Sequence, residues 1–464
     1  MSVNLMRVVL YVNLGLKLFL SDDASAIVSA SELKKTAGAG SIDNQSSLSF
    51  SMPVPNLSPE EERRFFKGRA LFRDTWTEAP SSTHSRDGLG PTFNARSCES
   101  CHIRDGRGKP PGSAKDPLVS LLFRLSVPGE DRHGAPVPVP VYGGQLQPYG
   151  ISNVPGEGSV EITYTEIKGH YKDGGTWSLR KPNYLIVPAL GPMHQLVMIS
   201  PRVAPQMPGL GLLERIPDKV LYDMSDPDDL DGDGISGKVN LVYDATLKKK
   251  VPGRFGWKAN QPSLRQQTAG AFLGDIGITS EIFGDNNCPE GQKLCQNSVN
   301  GGSPELLPAI LDHVVFYSQT LAVPQARNTE TRMFKDGFKS FTEIGCGSCH
   351  KHQLKTSKSP GPDSLINQSI HPFTDLLLHD MGEGLADHRP DFLASGREWR
   401  TPPLWGLGLI PVVNNHKYLL HDGRARTIEE AVLWHAGEAE KSRVKFTELD
   451  KQKRDQLLYF LESL

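Results

Sequence analysis

Beyond its N-terminal segment this sequence has no run of the roughly 20 apolar residues needed to span a bilayer. Nor does it carry an excess of charge. The 51 lysines and arginines nearly match the 53 aspartates and glutamates, leaving a formal net charge of −2. That balance lacks the electrostatic footprint of a nucleic-acid binder or of a protein held on an anionic membrane. Apolar residues are scarce, at 38%, which suits a fold built partly around a large apolar group that supplies core surface itself. Long regular helices are not expected. The 45 glycines and 35 prolines among 464 residues favour short elements and many loops. The length suggests about two or three domains.

The start reads differently. Arg7 precedes a mostly apolar stretch, Val8 to Leu20, interrupted by Asn13 and Lys17. Ala24-Ser25-Ala26 is a small-residue site of the kind a signal peptidase cuts. The pattern predicts a signal peptide over 1–26 and an exported, periplasmic protein; the bland alternative is a frayed helix. Residues 27–56, rich in serine, alanine and glycine, are expected to form a mobile tail.

Cysteine is sparse but patterned. Four of the six form two units, Cys98-Glu-Ser-Cys101-His102 and Cys346-Gly-Ser-Cys349-His350. Two cysteines three positions apart can add to the two vinyl groups of one haem from a single turn. The next histidine then falls beneath the iron as its axial ligand. A zinc site would need a matching second cysteine pair nearby, and a thioredoxin-like motif has no need of the histidine twice. Two covalent haems are therefore predicted. The other two, Cys288 and Cys295, flank a short polar loop, Pro289 to Leu294. In an exported protein they pair as a local disulfide worth roughly 2–3 kcal/mol; the alternative is two unpaired surface thiols.

The distance between the two units suggests two haem modules. Ser58 and Pro59 open a helix over Glu60 to Phe72, ahead of the first unit. Thr329 to Phe341 reads as an equivalent helix before the second. Between them, 120–250 is rich in Val, Tyr, Thr and Pro, with alternating segments such as Val160 to Ile167 that read as short strands. Glu448 to Leu464 reads as an amphipathic helix packed back on the second module. The expected fold is mainly α, with a cytochrome c-like module over 57–125, a β-strand-rich insert over 126–325 and a second cytochrome c-like module over 326–464.

Each iron has a second axial position. In the first module the candidates are His84, His133 and His194, and an iron left without any of them keeps an open site. In the second they are Met381, His421 and His435. His435 ends a helix from Ile428 that could reach the iron, and two histidine ligands would leave no open position. A further motif is Asp226-Pro-Asp-Asp-Leu-Asp-Gly-Asp-Gly-Ile-Ser-Gly237. Carboxylates at Asp229, Asp231 and Asp233, with the Ile235 carbonyl, have the alternation of a calcium loop. No glutamate stands at the twelfth position, so it is not a full EF-hand. The alternative is a solvated acidic turn.

Longer motifs carry a family resemblance. Leu376-Leu-Leu-His-Asp-Met-Gly-Glu-Gly-Leu-Ala-Asp387, Arg400-Thr-Pro-Pro-Leu-Trp405 and Tyr418-Leu-Leu-His-Asp-Gly-Arg424 resemble the bacterial di-haem cytochrome c peroxidases. They also resemble the di-haem enzyme that matures the tryptophylquinone of methylamine dehydrogenase. Gly88-Leu-Gly-Pro-Thr-Phe-Asn-Ala-Arg-Ser97, Gly106 to Pro111, Gly144-Gln-Leu-Gln147 and Gly209 to Glu214 are similar to one branch, the di-haem oxidoreductases also labelled thiol oxidoreductases. The resemblance spans about 58–464. It implies that His435 is the last ligand of the electron-transfer haem, where the peroxidases usually carry methionine. It implies that Trp257, in Gly256-Trp-Lys258, lies between the haems, and that Asp275 stands where the peroxidases hold a proton-moving glutamate. Glu214 is a second candidate for that role, with Gln206 near it.

The resemblance implies reduction of hydrogen peroxide at the first haem, fed by a small cytochrome or cupredoxin, and leaves a homodimer open. Two alternatives stand beside it: a pure electron-transfer cytochrome with both haems six-coordinate, and oxidation of a protein or organic substrate by a high-valent haem. The thiol label finds no support in the residues, because no cysteine pair outside the haem units looks catalytic.

Overall fold

The computed structural model describes residues 29–464 apart from 84–85, 114–115, 359–361 and 363–364. The predicted signal segment and His84 lie outside the described residues. Among the described residues no helix is long and apolar enough to cross a membrane.

The mainly α expectation is overturned. Only 30% of residues are helical and 20% lie in strands. The strands form small two- and three-stranded sheets. Nor do the elements separate into two cytochrome-like modules. The two large hydrophobic cores each draw on residues from near the beginning of the described chain to its last quarter: one runs from Ala37 to Trp405, the other from Leu33 to Leu464. A core assembled from such distant segments cannot be cut into consecutive modules, which is why helix signals flanking the cysteine units misread the whole.

Residues 29–56 are packed rather than a loose tail. Ser29 caps a short helix, Ala30–Lys34. Ser41–Ile42 pairs in parallel with Val323–Pro324, and Leu33, Phe50 and Val54 are buried. Small polar residues dominate the composition there, but three apolar anchors suffice to seat it.

The helices around the cysteine units follow one design. Helix α1, Pro59–Arg73, starts at a capping box in which Ser58 and Glu61 exchange hydrogen bonds. It packs on α2, Pro308–Gln319, at Gly68. A β-carbon on Gly68 would lie 2.2 Å from the His313 carbonyl oxygen, so only glycine allows the approach. Helix α3, Arg332–Glu343, capped by Thr331, crosses α4, Lys451–Ser463, in the same way. A β-carbon on Gly337 there would lie 2.1 Å from the Gln456 carbonyl oxygen.

Between these pairs runs the strand-rich part. Strand β1, Leu121–Glu130, pairs antiparallel with β4, Met198–Val203. The intervening strands β2, Gly158–His170, and β3, Thr176–Pro188, form a long antiparallel ribbon. Val160, Ile162, Tyr184 and Ile186 share one of its faces and, together with Trp177, pack on the second core. Cys288 and Cys295 are disulfide-bonded, with Cα atoms 5.6 Å apart.

Candidate functional site

Cys98–Cys101 form a single helical turn, capped by the Ser97 hydroxyl, which accepts from Ser100 N–H at 3.2 Å. The turn opens onto a cavity of about 210 Å³. Phe72, Leu122, Leu213 and Val314 contribute apolar wall, and His102, Trp257 and Asp275 also line it. The thiols of Cys98 and Cys101 are not joined to each other. Burial pushes the Cys98 thiol up to about 12 and His102 down to about 4. His102 Nδ1 lies 2.9 Å from the Pro205 carbonyl, which can only accept, so Nδ1 carries the proton and Nε2 keeps its lone pair.

The second unit repeats this chemistry. His350 Nδ1 donates to the Phe373 carbonyl at 2.8 Å, and burial holds the imidazole down to about 4. His435 follows the short helix Ile428–Leu433. Its Nδ1 donates to the Ala431 carbonyl at 2.7 Å, again freeing Nε2. It is also buried close enough to His350 to disfavour that ring's protonation. Phe341 and Phe373 form an aromatic wall, the former 6.3 Å from the His350 ring. Paired thiols, buried neutral imidazoles with one free nitrogen and an apolar surround fit haem at both units.

Beside Cys349 lies a charged cluster that sequence reasoning missed. His379 Nε2 is 2.9 Å from Asp375 Oδ2, and its Nδ1 is 2.6 Å from Glu438 Oε2. Burial works against a charge on His379, but the two carboxylates outweigh it and raise its pKa well above the usual histidine range. Glu438 also accepts from Ser236 N–H at 3.1 Å, tying the end of the acidic loop to this cluster. Within that loop the carboxylates of Asp226, Asp229 and Asp231 converge to within 4.8 Å of one another. Asp233 instead bonds the Ile235 amide at 2.7 Å, and Lys441 Nζ donates to the Asp233 carbonyl at 2.6 Å.

Asp275 faces the first cavity from a wide helical turn, Phe272–Ile276. Its carbonyl accepts from Asn94 and Ala95 N–H, at 2.8 and 3.0 Å. Gly90 packs against Gly277, where a β-carbon on Gly90 would lie 2.2 Å from the Gly277 Cα. The glycine-rich motif before Cys98 thus serves to seat the Asp275 turn. Burial raises the Asp275 carboxyl; Arg124 and a 2.9 Å hydrogen bond from Gln145 Nε2 to Oδ1 partly offset this.

Trp257 is buried in the second core yet borders the first cavity. Its Nε1 donates to the Val203 carbonyl at 2.8 Å, and the Arg107 guanidinium lies 5.1 Å over its ring. Glu214 is placed elsewhere. Its two carboxylate oxygens accept from Leu264 N–H and Gln319 Nε2, both at 2.7 Å, and it does not border the cavity. Gln206 does border it, accepting from Arg107 at 3.4 Å.

Of the other axial candidates, His133 is stacked 3.7 Å from the Tyr243 ring, and His194 accepts from Leu196 N–H at the surface. Neither borders the first cavity. His421 is buried face to face on Trp399 at 3.8 Å. Met381 is half-buried against the second core.

Sequence reasoning did not assign a role to Arg124 or Gln145. Gln145 sat in a quoted motif without one. The signal for Arg124 was a cation alternating with Leu121, Phe123 and Leu125 along β1, all three buried on the opposite face.

Residues 31–464 match the family model described as "Di-haem oxidoreductase, putative peroxidase". The chain belongs to this family of di-haem oxidoreductases, and membership implies two haems. No curated protein matches the chain.

Proposed function

We propose that this chain is an exported c-type enzyme that reduces hydrogen peroxide at its first haem, with electrons received through the second from a small redox protein. One observation carries the reading. Among the described residues, His102 is the sole imidazole on the wall of the first cavity, and a buried carboxylate, Asp275, faces in from the same wall. Met207, the one thioether there, follows Pro205 closely, and its amide bonds to the Asp105 carbonyl. That keeps it near the backbone that holds His102. No second imidazole on that wall would ligate an iron held by His102.

When bound, the haems supply irons that exchange single electrons. Cys98 and Cys101 would anchor the first, Cys346 and Cys349 the second. His350 and His435 would together hold the iron of the second, which suits electron transfer rather than substrate binding. Two electrons and two protons turn one peroxide into two waters. Asp275, raised by burial, takes a proton from one peroxide oxygen and returns it to the other. Trp257 offers an aromatic bridge between the first cavity and the core around the second unit. The buried walls exclude bulk water.

Electron paramagnetic resonance of the holoprotein, fully oxidised and half-reduced, tests the open site. A high-spin ferric signal in either state is expected, accompanied by peroxide turnover with a small reduced cytochrome. Two low-spin signals in both states would sink the reading. A second expectation concerns attachment. The Cys98→Ala/Cys101→Ala variant should retain half the covalent haem of the wild type by pyridine haemochrome assay, and the Cys346→Ala/Cys349→Ala variant likewise. Unchanged content in either variant rules out the assignment of that unit.

A further inference from the structure

Arg124 lies near Asp275 but is held by no direct contact. Its side chain borders the first cavity, and among the described residues its guanidinium makes no hydrogen bond and no ion pair. The other arginines on this wall are engaged. Arg107 donates to the Tyr418 and Leu420 carbonyls and to Gln206. Arg202 is paired with Asp391 at 2.9 Å, Arg254 is bound to Asp218, and Arg400 donates to the Gly256 and Thr401 carbonyls. Asp275 balances its charge without touching it, and a cavity-facing guanidinium with no direct acceptor suits a bound anion.

Two further groups converge with it. A β-carbon placed on Gly274 would lie 3.9 Å from Arg124 Nη1 and 4.0 Å from Gln145 Oε1, so both stand over the backbone next to Asp275. Gln145 Oε1 is buried and without a hydrogen-bond partner. Asp275 Oδ1 is taken by Gln145 Nε2, which leaves Oδ2 to the cavity.

A haem propionate is the competing anion, but the placement disfavours it. Covalent haem is joined to its cysteines through the vinyl edge, and the propionates leave from the opposite edge of the ring. Asp275 lies close enough to both Cys98 and Cys101 to weigh on the charge of each thiol. Its carbonyl bonds Asn94 and Ala95, just ahead of Cys98. Arg124, beside Asp275, therefore belongs to the vinyl side. Arg254, Arg107 and Arg400 border the same cavity and are further cations for a propionate.

We propose that Arg124, with Asp275, forms a binding site for a small monoanion in the first cavity, and that in the reaction above it holds the hydroperoxide anion. The inference rests on the peroxide reading and deepens it. Neutral hydrogen peroxide gives one proton to Asp275 Oδ2, and the charge left on the peroxide is offset by the Arg124 guanidinium. Gln145 Nε2 holds Asp275 Oδ1, which keeps the carboxylate turned for this transfer. No electron moves in this step, and the proton stays in the cavity for the departing oxygen.

The test is binding of fluoride and azide to the oxidised and half-reduced holoprotein, followed by absorbance, with carbon monoxide on the reduced protein as the neutral comparison. Arg124→Met should weaken both anions about 30-fold, as expected for losing a charge-assisted contact, and leave carbon monoxide affinity unchanged. Arg124→Lys, which keeps the charge and disturbs folding least, should recover most of the anion affinity. Haem content and unfolding temperature of each variant show whether the fold is retained. Equal anion affinity in the wild type and Arg124→Met, with carbon monoxide bound by both, would overturn the anion site and leave the peroxide reading standing. A wild type that binds neither the anions nor carbon monoxide would overturn both.

Discussion

Asp275→Asn is expected to lower peroxide turnover by about 10²- to 10⁴-fold, the usual contribution of a positioned acid–base group. Asparagine keeps the shape of the side chain, and the backbone bonds from Asn94 and Ala95 to the residue 275 carbonyl are untouched. The bond from Gln145 Nε2 also survives, because an amide oxygen can replace Oδ1 as acceptor. What is lost is the ability to take a proton. Burial raises the carboxyl in the folded protein, which makes it a better base than a surface aspartate. Steady-state kinetics at saturating electron donor, with haem content and unfolding temperature as controls, measures the effect. Asp275→Glu restores a carboxyl and should recover a large part of the rate. Turnover within about threefold of wild type in Asp275→Asn would remove Asp275 from the proton path.

The largest expected loss of stability lies at Lys258. This side chain is fully buried. Its Nζ donates to Asp387 Oδ1 at 2.7 Å and to the Arg389 and Ser395 carbonyls, both at 2.8 Å. It also lies 4.6 Å over the Trp399 ring. Burial pulls the ammonium down to about 8, with Asp387 opposing, so it remains largely charged at neutral pH. Lys258→Met fills similar space but strands a buried carboxylate and two buried carbonyls. Such losses cost about 3–5 kcal/mol. Urea unfolding of the holoprotein should show that drop, and Lys258→Met combined with Asp387→Leu should be less destabilised than the single variant. A single-variant loss below about 1 kcal/mol would mean that water or a rearranged loop replaces the pair. Lys258 follows Trp257 directly, so the same ion pair anchors the backbone that positions the tryptophan.

Local spacing was legible wherever the chemistry is local. The Cys-x-x-Cys-His units, the Ser58 cap, the strand around Val160 to Ile167 and the pairing of Cys288 with Cys295 each depend on residues within one short stretch. The quoted motifs sufficed for the family because they record short sequence patterns directly. Glu214 was misleading for a related reason. A carboxylate in a conserved-looking motif says nothing about where its oxygens point, and here both are spent on Leu264 and Gln319. Arg124 was passed over because its meaning depends on Asp275, remote in the chain. The mainly α expectation failed because capped helices near the cysteine units are easily seen, whereas many short strands and loops leave weak periodicity.

By itself, then, the sequence determined the family, the two cysteine–histidine units and the absence of an extended apolar span beyond the N-terminal segment, since these follow from residue identity and spacing alone. Only the tertiary structure decided that residues 29–56 belong to the packed protein, that the cores interleave distant segments, and that Trp257, Asp275 and Arg124 share one cavity with His102. The reason is physical: burial and the partners of a charged group are properties of surfaces brought together by folding, and no single stretch of chain contains both sides of them.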